Sequence, residues 1–243
     1  MASLVITATL AVSTPASADT AGLLGADYTS VRGQVTKGFV GAAVYGFEDG
    51  GFLTAAGSRY DDNLIGDGVS VTAGVGAPVR GTLLARVFGT RWVGDNEFRA
   101  WQLKVGPFVQ WSGGATLGLS FVRHDDGDAT ATGGVVEASI PVAPRWRATL
   151  AGSAAAIRGG RGSASGSAGA AWQAGSRVEV QAEAGVARNG ALGTTTAPSG
   201  GGGGLLGGLP LLGRSQERAA STGEEEGQPV SGTVTVGLRV LFP

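Results

Sequence analysis

The sequence predicts an all-β fold, a transmembrane antiparallel up-and-down β-barrel of twelve strands, with ten as the alternative count. Three observations carry that expectation. Apolar residues alternate with polar or small ones at period two over segments of about 9 to 13 residues, the strand signal, and helical i, i+3, i+4 stripes are absent. Glycine supplies 45 of the 243 residues, which argues against helices because each helical glycine costs about 1 kcal/mol relative to alanine. Mean hydropathy is +0.15, yet no apolar run approaches the roughly 18 residues a helical span needs, a combination that excludes spanning helices and leaves spanning strands open.

The first element in chain order is not part of the barrel. Residues 1–18, MASLVITATLAVSTPASA, hold an apolar core from Leu4 to Val12 and small residues Ala16 and Ala18 at the positions of an A-x-A cleavage site. That pattern reads as a secretory signal without its charged start, so residues 19–243 are expected as a single exported barrel domain.

Strands are expected near 28–36, 39–48, 51–60, 68–77, 82–93, 98–111, 115–123, 133–142, 146–157, 163–173, 177–188 and 230–242. The clearest is the segment from Phe98 to Trp111, where Trp101, Leu103, Val105, Val109 and Trp111 alternate with Gln102, Lys104 and Gln110. A rise of about 3.3 Å per residue and a tilt of ~40° place its two tryptophans ~25 Å apart along the barrel axis, the height of an apolar band between aromatic girdles. Val69, Val71, Ala73 and Val75 alternate with Ser70, Thr72 and Gly74. Ala85 and Val87 alternate less cleanly with Leu84, Arg86 and Phe88. Leu117, Leu119 and Phe121 oppose Gly118 and Ser120, while Val136, Ala138 and Ile140 oppose Glu137 and Ser139. Trp146, Ala148 and Leu150 oppose Arg147 and Thr149, and Ala168, Ala170 and Trp172 oppose Ser167 and Gly169. Val178, Val180 and Ala182 oppose Glu179, Gln181 and Glu183; the last strand sets Val234, Val236, Leu238, Val240 and Phe242 against Thr235, Gly237 and Arg239. The weakest pair is the first, around Thr36 to Gly38. Without that hairpin the count falls to ten.

A lipid-facing Arg or Lys at the membrane midplane costs about 2–4 kcal/mol. Mid-strand charges must therefore face the interior, which gives a lumen lined by Arg86, Gln102, Lys104, Gln110, Glu137, Glu179, Gln181, Glu183 and Arg239. Trp101, Trp111, Trp146, Trp172 and Phe242 supply the girdles. The tight connections fall near 77–81, 112–114, 142–145 and 174–176. Between them lie 60–67, 93–97, 124–132 and the long segment 189–229, mostly longer and acidic, which are expected on the extracellular side.

The closing segment Thr235-Val236-Gly237-Leu238-Arg239-Val240-Leu241-Phe242 resembles the C-terminal assembly signal of bacterial outer-membrane β-barrel proteins, the porin-like superfamily, with Thr235, Gly237, Val240 and Phe242 at the motif positions. It departs in one place, since Pro243 follows the aromatic that normally ends the chain. The resemblance implies a place in the cell outer membrane of a Gram-negative-type bacterium, and the barrel assembly machinery as partner during biogenesis. On that footing the expected function is a narrow passive pore or small-solute channel. The alternative is a structural or adhesive surface barrel, and a barrel hydrolase acting on lipid or peptide is the weakest reading.

Several function classes fall away on composition. There is no Cys, which removes disulfides and thiol catalysis. Net charge is −1, which gives no reason to expect nucleic acid. His124, the one histidine, lies beside Asp125 and Asp126 and reads as an exposed residue of an acidic loop, with Ser120 too far off to complete a catalytic pair, so no catalytic residue is expected. Asp61, Asp62, Asp67, Asp95, Asp125, Asp126 and Asp128 lack calcium-loop spacing, and neither metal nor cofactor is expected. Arg59, Arg91, Arg99, Arg123, Arg158 and Arg188 collect at the outer strand ends. Because a guanidinium meets phosphate with a bidentate fork, they form a candidate lipopolysaccharide rim, with salt bridging to neighbouring Asp as the equal alternative. The glycine- and leucine-rich stretch 199–213 lacks the Lys-Ser/Thr of a phosphate loop and reads as a flexible segment that folds over or into the barrel mouth.

Overall fold

A computed structural model describes residues 20–31, 34–62, 66–95, 99–125, 127, 130–158, 162–188 and 230–242. Among these residues twelve strands occur: β1 (Thr20–Val31), β2 (Gln34–Gly46), β3 (Phe52–Asp62), β4 (Gly66–Arg80), β5 (Leu83–Gly94), β6 (Arg99–Gln110), β7 (Thr116–Asp125), β8 (Thr130–Ala143), β9 (Trp146–Ile157), β10 (Ser163–Gln173), β11 (Val178–Arg188) and β12 (Val230–Phe242). Each pairs antiparallel with its neighbours in sequence, and β1 also pairs with β12, so the up-and-down sheet returns on itself as a barrel. In lipid such closure matters, because an open edge would leave a row of backbone N–H and C=O groups without partners.

Period two decides which face is which. Directly paired residues share a face, so one alternation runs around the whole wall. Val69, Val71, Val75, Val87, Leu103, Val105, Leu119, Phe121, Val136, Ile140 and Leu150 point outward and are exposed. Their sequence neighbours Ser70, Thr72, Arg86, Gln102, Lys104, Ser120, Ser139 and Thr149 point inward and are buried. Where a proline enters the wall the ladder gives way locally: the register shifts between Pro78 and Arg80 and between Pro141 and Ala143. It also skips Gly106 and Pro107 between β6 and β7. Prolines, whose ring nitrogen has no proton to donate, thus sit at or beside breaks in the ladder.

Three expectations about the elements need correction. The first hairpin is formed, but it turns between Val31 and Gln34, not at 36–38, and the strands expected at 28–36 and 39–48 are β1 and β2, displaced toward the N-terminus. The sequence there reads Arg32-Gly33, two residues with a glycine, which is a hairpin signal in its own right. Residues 77–80 belong to β4 and no turn forms until Gly81 and Thr82. The alternation in connection length is also weaker than expected. Asp61 and Asp62 end β3 and Asp67 lies in β4, so strands consume most of the acidic segment 60–67. Apart from 189–229, the connections at the two ends are comparable in length; the end with the connections 47–51, 81–82, 111–115, 144–145 and 174–177 is the one expected to hold the short turns and keeps the name short-turn end, the other being the loop end. The segment 1–18, expected as a secretory signal, and the stretch 199–213 lie outside the described residues.

Candidate functional site

The interior is built on inward positions of β3 to β8, and glycine makes the room. Arg86 on β5 reaches across β6 and β7 to β8, where its Nη2 donates to Glu137 Oε2 at 2.8 Å and to Ser120 Oγ at 3.3 Å. Lys104 on β6 donates its Nζ to the other oxygen, Glu137 Oε1. Gly118 on β7 lies directly under this path: a β-carbon there would overlap the Arg86 guanidinium. One carboxylate thus holds two cations, and the Arg86 side chain is 1% exposed.

Beside the cluster, aromatic rings line part of the interior. Phe52 and Phe88 stack with centroids 6.3 Å apart, and the Arg86 guanidinium sits over Phe108 at 4.8 Å and Phe88 at 5.8 Å. The same device of inward glycine recurs, because β-carbons at Gly74 and Gly76 would overlap the rings of Phe88 and Phe52. Cation–π contact is worth about 2 kcal/mol or more when desolvated, so the rings also hold the guanidinium in place.

Higher up, Trp92 and His124 meet edge to face with centroids 5.7 Å apart, at 0% and 1% exposure. His124 is therefore not the exposed loop residue that its acidic neighbours suggested. It occupies the last inward position of β7, on the same face as Ser120, and pairs in register with Gln102. Hydroxyl pairs line the wall elsewhere: Thr72 with Thr90 at 2.9 Å, Ser58 with Ser70 at 2.8 Å and Ser153 with Ser165 at 2.6 Å.

Of the expected lumen residues, Arg86, Gln102, Lys104, Glu179, Gln181 and Glu183 are buried at inward positions, while Glu137 and Gln110 are half-buried. Glu179 pairs in register with Arg239, which places Arg239 on the inner face of β12; its side chain lies outside the description. The structure brings Arg86, Lys104 and Glu137 together and leaves Glu179, Gln181 and Glu183 as a separate ladder on β11. The even-numbered alternation puts Phe88 on the face of Arg86 and Phe108 on the face of Lys104, and both lie inside; Phe52 and Trp92 were not assigned a face, although continuing the alternation past Phe88 leads to Trp92.

Aromatic side chains gather at the short-turn end of the outer surface. Trp146 and Trp172 pair across β9 and β10 and stack at 6.2 Å, Trp111 is exposed just beyond β6, and Tyr45 meets Phe47 edge-on at 5.3 Å. Trp101 lies at the opposite end of β6 under the Arg123 guanidinium, 5.7 Å away. The Phe242 side chain is not among those described. Thr235, Gly237 and Val240 of the assembly motif all lie in β12, paired on both sides.

The rim arginines divide. Arg59 is ion-paired with Asp67 at 3.3 Å, Arg158 is exposed, and the Arg188 side chain lies outside the description. Arg91, Arg99 and Arg123 are exposed, and among the described residues no carboxylate forms an ion pair with them. Among the described residues no acidic group of metal-binding size comes together.

A closed antiparallel wall, apolar outside and polar at mid-height inside, defines a transmembrane β-barrel. No protein-family model and no curated protein matches the chain. Similar solved structures include outer-membrane expressed OmpT of Vibrio cholerae (10% identity, 92% of this chain, 97% of that one, TM-score 0.45). The anion-selective porin from Comamonas acidovorans is similar at 10% identity, with 92% and 99% covered and a TM-score of 0.43. The translocator domain of autotransporter NalP from Neisseria meningitidis follows at 12% identity, 91% and 88% covered, and 0.42. At such scores what this chain does has to be argued from its own residues.

Proposed function

We propose that the protein is an outer-membrane β-barrel of a Gram-negative-type bacterium, a closed twelve-stranded ring that acts as a narrow passive pore for small solutes and is held nearly shut by its own side chains. The supporting observation is the cluster of Arg86, Lys104 and Glu137 at mid-height, fixed charges in a wall of Thr, Ser and Gln. Such a wall is matched to water, as the valines and leucines outside are matched to lipid. Bore width grows with strand number, and twelve strands leave little room once Arg86 and the phenylalanines are in place. Biogenesis through the barrel assembly machinery follows from the β12 motif.

A surface barrel closed to solutes is the second reading, favoured by the near-zero exposure of Arg86, Trp92, His124 and Gln181. A hydrolase is the weakest, because His124 packs on Trp92 inside the wall, away from any surface a lipid or peptide would reach. Planar-bilayer conductance decides between the first two. The refolded wild type is expected to give small discrete steps and an Arg86→Ala/Glu137→Ala variant larger ones; silence from both would sink the pore and leave the surface barrel.

A further inference from the structure

Three guanidiniums surround one tryptophan on the lipid-facing side of the barrel's loop end. Trp101 on β6 has Arg91 directly opposite on β5, Arg99 two residues along its own strand, and Arg123 diagonally across on β7, paired with Leu103. All four occupy outward positions of adjacent strands, and Arg123 lies over the indole at 5.7 Å. Neighbouring strands are about 4.8 Å apart and same-face residues about 6.7 Å, so the patch is roughly 10 Å across.

Charge placement separates this patch from an ordinary solvated rim. Asp125, the acid nearest by register and opposite Trp101, accepts hydrogen bonds from Thr130 Oγ1 at 2.8 Å and Gly127 N at 3.0 Å; its charge acts on Arg123 through space without an ion pair, so the three guanidiniums still leave the patch with an excess of positive charge. Asp67 pairs with Arg59, and Asp95 accepts from the Asp67 backbone N at 3.2 Å. The rows below Arg91 and Arg123 are apolar: Val87, Leu103, Val105, Leu119 and Phe121 face lipid. Three cations above an apolar wall and around an aromatic are suited to an amphiphile with chains below and phosphate above.

We propose that Arg91, Arg99, Arg123 and Trp101 form a binding site for the phosphate-bearing sugar headgroup of an outer-leaflet glycolipid, with the acyl chains lying on β5 to β7. The proposal rests on the outer-membrane reading above and narrows the six rim arginines to three. Guanidinium forks take the phosphate oxygens, and the indole packs against the sugar.

The test uses the full-length barrel in detergent, titrated with diphosphorylated lipid A, with phosphatidylglycerol and with inorganic phosphate, bound lipid being counted by native mass spectrometry. Wild type is expected to bind lipid A about a hundredfold more tightly than an Arg91→Gln/Arg99→Gln/Arg123→Gln variant, at roughly fivefold per guanidinium. An Arg59→Gln/Arg158→Gln variant should bind as wild type does. Equal binding by the triple variant overturns the site, equal preference for phosphatidylglycerol overturns the sugar, and displacement by millimolar phosphate overturns the lipid. Heat-modifiable mobility of the same samples on a denaturing gel reports the barrel separately, so a failed site and a failed barrel give different results.

Discussion

At Gly118 a single hydrogen atom stands where any other side chain would displace Arg86. The guanidinium is buried and holds Glu137, which in turn holds Lys104, so an intrusion at one position unsettles three charges. Overpacking costs about 1–3 kcal/mol, and stranding one partner of a buried ion pair about 3–5 kcal/mol. Gly118→Ala should therefore lose roughly 1–3 kcal/mol in urea unfolding from lipid vesicles. The same substitution in an Arg86→Ala background should cost much less, because the overlapping atoms are gone and neighbours of this kind are non-additive. Equal losses in both backgrounds would mean that the glycine is needed for some other reason. The Arg86–Glu137 pairing was not readable from the sequence, where the two lie 51 positions apart on strands that β6 and β7 separate.

Among the elements, legibility followed side-chain contrast. The strand that became β6 declared itself because Trp, Leu and Val alternate there with Gln and Lys. Only the end of β1 is legible, because Ala21, Gly22, Gly25 and Ala26 give period two little to work on and the alternation shows first at Tyr28. Strand β5 looked impure for a different reason: Leu84, Phe88 and Trp92 share the inward face with Arg86, so both faces of the strand carry apolar residues and the alternation has little contrast. His124 was mistaken because Asp125 and Asp126 read as a loop, whereas β7 runs through Asp125. These assignments differ in what a tryptophan should feel. In single-tryptophan variants, Trp146 and Trp172, at the outer face of the short-turn end, should be strongly quenched by lipids brominated near the headgroup. Trp92 should be indifferent both to brominated lipid and to aqueous iodide. Strong lipid quenching of Trp92 would reverse the faces of β5.

For the molecule as a whole, the wall depends on the seam between the first and last strands. β12 pairs with β11 over the full run from Val178↔Val240 to Arg188↔Val230, and with β1 from Gly22↔Phe242 to Val31↔Thr233. Removing it would expose the edges of two strands at once, about ten unpaired backbone positions on each. In lipid every such group costs several kcal/mol, more than any single side-chain contact in the barrel returns. The segment 189–229 connects β11 to β12 in sequence, and the cost of loop closure grows slowly with length, so shortening it should matter far less than losing the strand. The wild type should then run faster unboiled than boiled on a denaturing gel, because the closed ladder resists detergent until heated. A chain with 199–213 deleted should keep that shift, and a chain ending at Pro229 should lose it. If the truncated chain kept the shift, the β1–β12 seam would not be what closes the barrel.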